Sequence, residues 1–146
     1  MRYGIFDIGT KATRMMIGDS DSIKNSEFSF NNFRNYGDRT FLGDALSDDQ
    51  FKIKGIEPTV NRIQEYKEIG KNFGVEKFLA VGTAVFRKAK NTDEVLKIIK
   101  QITGIDIRVL SKKEEAKYSI ISAILTGKDY LNPGDIAVLI DQGGGS

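Results

Sequence analysis

At Pro58 the hydrophobic period of this chain changes, and that change limits the folds open to it. Before Pro58 the apolar residues lie in short extended runs. Residues 2–8 have an apolar centre, and 13–18 form a second run. Residues 27–33 alternate Phe28, Phe30 and Phe33 with polar neighbours, although Asn31 and Asn32 break strict period two. Gly9, Thr10 and Lys11 give a turn signal between the first two runs, and a loop rich in Gly and Asp is expected over 36–49. From Pro58 onward, Val60, Ile63, Tyr66, Ile69 and Phe73 recur at helical spacing until Gly74 ends the run.

The remainder alternates strand and helix. Residues 77–82 read as a buried strand, and Asn91-Thr92 as the start of a helix. That helix presents Val95, Ile98, Ile99 and Ile102 before Gly104. Residues 105–110 read as a strand, and Ser111 with Glu114 fits a capping box opening a helix to about Leu125. Asn132-Pro133-Gly134 is a turn, 136–140 a strand, and Asp141-Gln142-Gly143-Gly144-Gly145-Ser146 follows. Strands alternating with helices imply a right-handed parallel crossover sheet, with the opening strands as an antiparallel meander on it. The class is α/β.

Composition narrows the chemistry. A length of 146 residues suits one compact domain or two very small lobes. Histidine and cysteine are absent, which removes thiol and imidazole catalysis, disulfides and zinc ligation by these residues. Any reaction must use carboxylates, hydroxyls, Lys, Arg and backbone amides. The charge balance, 22 basic against 20 acidic residues, gives no argument for a nucleic-acid or anionic membrane surface. The longest apolar run, 136–140, is far short of the roughly 20 residues a membrane helix needs. Asp7 comes too early for a signal peptide, so a cytoplasmic protein is expected.

In an open parallel sheet, ligands bind beyond the carboxyl ends of the strands. Segments 7–10, 82–87, 111–116 and 141–146 all fall at such ends. A carboxylate followed by glycine offers a hard oxygen ligand beside amides that can approach a phosphate closely. A plain structural turn is a sufficient reading for Asp7 alone; three successive glycines after Asp141 are costly in chain entropy for a turn. Within 111–116, Glu114 suits the capping role and leaves Glu115 to point elsewhere, as a proton acceptor or as a solvated first-turn acid. Arg87 has the planar fork that suits phosphate, and equally suits a surface ion pair. Thr83 can lend a hydroxyl or cap the next turn. Gly127-Lys128 lacks the upstream glycine of a P-loop, and Asp129 replaces its Ser or Thr. Asp19 and Asp21 begin like a calcium loop, but Lys24 and Phe30 break it. The aromatic group Phe28, Phe30, Phe33 and Tyr36 reads as core or interface.

Taken together, Asp7-Ile8-Gly9-Thr10 with Arg14, the segment 82–89 with Asn91, the segment 111–116 and the segment 141–146 occur in a familiar order and approximate spacing. They resemble the exopolyphosphatase / guanosine pentaphosphate phosphatase family, as does the Arg-x-x-Leu-Gly segment within 39–46. The resemblance implies a ribonuclease H-like (actin-like ATPase) lobe: a five-stranded mixed sheet with helices on both faces, order βββαβαβα. It implies that 1–146 is one N-terminal lobe of a two-lobed phosphatase, ending in the second phosphate loop with the C-terminal lobe absent. Such a lobe is expected to be inactive alone. The implied activity is removal of terminal phosphates from inorganic polyphosphate or guanosine pentaphosphate by metal-assisted attack of water.

By position, Glu115 matches the family's base and Arg87 its phosphate-engaging arginine. Asp7 and Asp141 match the carboxylates holding a divalent cation, with Mg2+ expected. Gly9 and Thr10 match the first phosphate loop, Gly143, Gly144, Gly145 and Ser146 the second, and Thr83 joins the phosphate-binding set. The expected partners are polyphosphate or guanosine pentaphosphate and the missing lobe, with a homodimer left open and neither nucleic acid nor membrane expected. Lys11, Lys112 and Gln142 depart from the family pattern and leave substrate preference open. Alternative readings are a non-catalytic phosphate or nucleotide sensor, and a sugar- or acetate-kinase-like phosphotransferase. The Glu115 segment favours the hydrolase over the kinase.

Overall fold

The computed structural model describes residues 1–20, 30–127, 134, 136 and 138–140. In chain order the elements are β1 (Arg2–Ile8), β2 (Ala12–Ser20), β3 (Phe30–Arg39), and a small hairpin of β4 (Leu46–Ser47) and β5 (Gln50–Phe51). Then come α1 (Glu57–Asn72), β6 (Lys77–Gly82), α2 (Ala84–Lys88), α3 (Thr92–Thr103), β7 (Ile107–Val109) and α4 (Lys112–Gly127). The main sheet has the order β3-β2-β1-β6-β7. β1, β2 and β3 are antiparallel neighbours; β6 lies parallel to β1, and β7 parallel to β6. This is the five-stranded mixed sheet that the family resemblance implies, and the hydrophobic pattern predicts its antiparallel opening and parallel crossovers.

The strand alternation gives the sheet two chemically different faces. Gly4, Phe6 and Ile8 of β1 and Thr13, Met15 and Ile17 of β2 are buried on one side. There they pack with Val60, Ile63 and Tyr66 of α1, Val85 and Phe86 of α2, and Val95 and Ile99 of α3. Burial of such side chains is worth roughly 1.5–3 kcal/mol each, so this layer carries the stability of the fold. The intervening residues Asp7, Arg14 and Val81 face the other way, into a cleft bordered by α4. One face is therefore core and the other is available for chemistry.

Four local features differ from the sequence reading. β3 extends to Arg39, where a loop from Tyr36 is expected, while 27–29 lie outside the described residues. As an edge strand it pairs on one side alone, and Arg34, Asn35, Gly37, Asp38 and Arg39 are exposed, so no apolar alternation marks it. The hairpin inside the expected loop turns through Asp48 and Asp49, both with positive φ (55° and 58°), the geometry of a two-residue type I′ turn. Asn91 precedes α3 without capping it: its side chain accepts from the Phe51 amide at 2.8 Å and donates to the Phe51 carbonyl at 3.1 Å.

The fourth difference is the expected strand at 136–140. Ile136, Val138, Leu139 and Ile140 carry no strand pairing and are exposed. An apolar run encodes a preference for burial but names no hydrogen-bond partner. β1 already has β2 on one side and β6 on the other, so this segment is not its neighbour. The turn residues Asn132 and Pro133 lie outside the described residues.

Candidate active site

The carboxyl ends of β1 and β6 and the amino end of α4 meet at a cleft of about 1040 Å³. Asp7, Gly9, Thr10, Thr83 and Glu115 all line it. Segments separated by more than a hundred positions in the chain thus converge, as the strand-end argument requires. Asp141, Gly143, Gly144, Gly145 and Ser146 lie outside the described residues.

The first loop is rigidly built. The Gly9 amide donates to the Ala12 carbonyl at 2.9 Å, so that amide closes the turn. Thr10 is clamped from behind: the Gly43 amide donates to its carbonyl at 2.8 Å. A Cβ at Gly43 would stand 2.5 Å from Thr10 Cγ2, so glycine is required for this approach. The Leu-Gly segment noted in the sequence therefore positions the phosphate-loop candidate. Asp7 sits directly opposite Arg14 in the β1–β2 pairing, with carboxylate and guanidinium 4.0 Å apart and both about half or more exposed. An exposed pair at this distance is worth at most about 1 kcal/mol.

At the end of β6, Thr83 lies across from the first loop; a Cβ placed on Gly9 would be 3.8 Å from its hydroxyl. Its hydroxyl caps no helix, although Thr83 precedes α2. Gly82 leaves room for the Phe86 ring, which a Cβ there would meet at 2.5 Å. That contact seats α2 on the sheet and aims Arg87 toward α4. Arg87 does not line the cleft itself. It reaches it through Glu115, with 2.7 Å between guanidinium and carboxylate, and also donates to the Leu110 carbonyl at 2.7 Å.

The start of α4 divides its acids as the capping-box pattern predicts. Glu114 accepts from the Ser111 amide at 2.9 Å and from the Ser111 hydroxyl at 2.8 Å, and the Ser111 hydroxyl accepts from the Glu114 amide at 3.2 Å. These bonds, the backbone one foremost, with Arg108 alongside, hold the Glu114 carboxyl below the usual glutamate range. Glu115, one residue on, turns instead to the cleft.

Several lining residues escape the sequence reading. Tyr118, Ser119 and Ser122 share the cleft with Glu115. Their spacing of three, four and seven from Glu115 is the helical signal that finds them. Asp38 also lines the cleft from the unrecognised end of β3, beside Arg39, the arginine of the Arg-x-x-Leu-Gly segment. Asp38 accepts from the Tyr66 hydroxyl at 2.7 Å and pairs with Arg62 at 3.2 Å. Burial and that carboxylate push the Tyr66 phenol well above its usual range, so Tyr66 acts here as a fixed donor.

Among the described residues, no group of three or more Asp, Glu, His or Cys side chains is arranged to hold a metal. The cleft offers instead the Asp7 carboxylate with the Thr10 and Thr83 hydroxyls, beside the Asp38 and Glu115 carboxylates that pair with Arg62 and Arg87. Such a set suits Mg2+, which keeps several waters and binds through one or two carboxylates and substrate phosphates. No helix among the described residues is long and apolar enough to cross a membrane.

Comparison with known proteins bears on this geometry. The sequence profile of the Ppx/GppA phosphatase family matches residues 33–146. Exopolyphosphatase 1 of Mycobacterium tuberculosis is 22% identical over 130 residues, covering 84% of this chain and 35% of that protein. Among solved structures, the Aquifex aeolicus Ppx/GppA family member superposes with a TM-score of 0.71 at 30% identity, over 88% of this chain and 40% of that one. An exopolyphosphatase from Cytophaga hutchinsonii superposes with a TM-score of 0.69 at 21% identity, over 82% and 37% of the respective chains, a likeness of fold. The chain spans 35–41% of the length of the relatives it matches in sequence.

Proposed function

Because the chain belongs to the Ppx/GppA phosphatase family and carries its actin-like, ribonuclease H-like lobe, we propose that its cleft hydrolyses terminal phosphoanhydride bonds of inorganic polyphosphate, guanosine pentaphosphate or both. The observation that carries this reading is the convergence of Asp7, Thr10, Thr83 and Glu115 on one cleft, with Arg87 bonded to Glu115 behind it.

Each residue then has a defined task. Thr10 and Thr83 donate hydroxyl hydrogen bonds to phosphate oxygens. Arg87, which pairs with Glu115, exchanges that carboxylate for a phosphate, since both fit its planar fork. The exchange frees Glu115 to accept a proton from the attacking water and to orient it in line with the scissile bond. Water's oxygen bonds to the terminal phosphorus, the bridging P–O bond breaks, and the shortened chain leaves with the bond's electrons. Asp7, with Asp141 as its expected partner, would hold Mg2+, which supplies charge neutralisation on the phosphate oxygens. Phosphoryl transfer needs little beyond such positioning and neutralisation.

The test is phosphate release with magnesium by a two-lobed version of the protein, in parallel on long-chain polyphosphate, tripolyphosphate and guanosine pentaphosphate. Release from any of them that depends on Glu115 supports the reading, and the ranking assigns the substrate. Saturable phosphate-compound binding without release would make the protein a sensor of the same fold. Transfer from ATP to a small alcohol would make it a kinase relative.

A further inference from the structure

Arg87 stands on an element too short to hold itself in place. α2 has five residues, fewer than an isolated helix needs, and no side chain caps its amino end. Its position is set from outside. Thr92 shares its hydroxyl hydrogen between the Phe86 carbonyl at 2.5 Å and the Ala89 carbonyl at 3.0 Å, which serves the open carboxyl end of α2. The Phe86 ring lies against Phe51, with centroids 5.7 Å apart and planes tilted by 53°, and both residues are buried.

Phe51 belongs to an equally small element, since β4 and β5 contribute two residues each. Three hydrogen bonds fasten this hairpin to the linker between α2 and α3. The Lys90 amide donates to the Asp49 carbonyl at 2.7 Å. The Phe51 amide donates to the Asn91 side-chain oxygen at 2.8 Å, and the Asn91 side-chain nitrogen donates back to the Phe51 carbonyl at 3.1 Å. The carboxamide thus acts as a peptide group added to the edge of β5, with one acceptor and one donor matched to the backbone of a single residue. An aspartate there keeps the acceptor and loses the donor. This contact also has a cost. Asparagine is among the best helix-capping residues and stands directly before α3, yet the amino end of α3 has no side-chain cap.

We propose that Asn91 is a positioning residue for Arg87: by clasping Phe51 it fixes the hairpin against Phe86, and Phe86 carries the neighbouring guanidinium to its place beside Glu115. Neither Asn91 nor any hairpin residue lines the cleft, so the clasp reaches the chemistry through α2. The proposal rests on the phosphohydrolase reading and goes beyond it by making a hairpin outside the cleft part of the machinery. Loosening Phe51 lets the Phe86 ring shift and moves the fork away from both Glu115 and an incoming phosphate. A displacement of about 1 Å is enough to cost roughly 10²-fold in rate.

The experiment follows phosphate release from long-chain polyphosphate with magnesium by a two-lobed version of the protein. The variants are Asn91→Ala, Asn91→Asp, Arg87→Lys, the two Asn91 changes in the Arg87→Lys background, and Ile99→Ala as a control that loosens the core of α3 away from the clasp. Asn91→Ala should lower kcat/KM about tenfold at a temperature where thermal melts show it folded, and Ile99→Ala should not. In the Arg87→Lys background the Asn91 changes should cost little more, because the fork they place is already gone; a merely structural role would give additive losses. Asn91→Asp should lose less than Asn91→Ala and recover toward wild type as pH falls, since a protonated carboxyl regains the donor for the Phe51 carbonyl. If Asn91→Ala does not fold, the Asn91→Asp cycle and its pH profile decide the matter by themselves. Wild-type kcat/KM in the folded Asn91 variants, full additivity with Arg87→Lys, or an equal loss in Ile99→Ala each overturns the positioning role alone. Absence of phosphate release by the two-lobed wild type overturns the phosphohydrolase reading, and this role with it.

Discussion

One guanidinium ties two distant segments together: Arg87 lies 2.7 Å from the Glu115 carboxylate and 2.7 Å from the Leu110 carbonyl oxygen. It therefore fixes where α4 begins relative to β7 and presents Glu115 to the cleft. Removing it by Arg87→Ala leaves a half-buried carboxylate and a carbonyl without their donor. Partial exposure discounts the pair, so a destabilisation of about 1–2 kcal/mol is expected. Arg87→Lys keeps the charge but not the two-pronged geometry and should recover only part of the loss. Urea denaturation midpoints check this; equal stability of Arg87→Ala and wild type would refute the anchoring role.

Glu115→Gln, made in a two-lobed version of the protein, tests the proton acceptor with little change of shape, because the amide oxygen can still accept from Arg87. Loss of a positioned general base costs roughly 10²–10⁴ in rate. The effect should fall on kcat, with KM for polyphosphate close to wild type, since binding rests on other groups. Unchanged turnover would remove Glu115 from the chemistry.

How far this site can be read from the chain alone depends on whether the signal is local. The capping box is local, so Ser111 and Glu114 reveal both the start of α4 and the release of Glu115. The helices are periodic, so α1 ends at Asn72, two residues before Gly74, and α3 at Thr103, immediately before Gly104, close to where their spacing indicates. Asn91 shows the opposite case. Its position favours a cap, yet a backbone segment 40 residues earlier captures its amide. Asp38 is missed, and Arg39 is read in a motif but not as a strand residue, for a related reason: the end of an edge strand held by its neighbour's hydrogen bonds needs no apolar alternation. The hairpin turn uses Asp48-Asp49 where Asn-Gly is the recognisable sequence, so only the backbone discloses it.

Glu114 makes stability depend on pH with a definite sign. Its carboxyl is held below the usual glutamate value of 4.5, first by the Ser111 amide, then by the Ser111 hydroxyl and Arg108. A depressed folded value means that the carboxylate stabilises the fold above the unfolded value. That contribution is lost as pH falls through the folded value. The difference in melting temperature between wild type and Glu114→Gln should be constant from neutral pH to about 4.5 and should shrink below it. A difference that grows on acidification would contradict the capping-box assignment.

Gly43 and Thr10 supply the most selective test of how the first loop is held. A methyl group on residue 43 would stand 2.5 Å from Thr10 Cγ2 and 3.3 Å from the Thr10 carbonyl oxygen. Relieving that overlap must move either the loop or the turn that follows Phe41. Overpacking of this kind typically costs about 1–3 kcal/mol. Gly43→Ala should therefore lower stability and weaken tripolyphosphate binding together, because Thr10 is displaced from the cleft. Thr10→Ser deletes the methyl that would clash and keeps the hydroxyl, so alone it should bind nearly as the wild type does. In the double variant the closer of the two contacts disappears while the carbonyl contact remains. Part of both losses should return, giving a coupling energy of about 0.5–3 kcal/mol in a double-mutant cycle. Strict additivity of the two substitutions, measured by chemical denaturation and by calorimetric titration, would show that Gly43 does not act through Thr10.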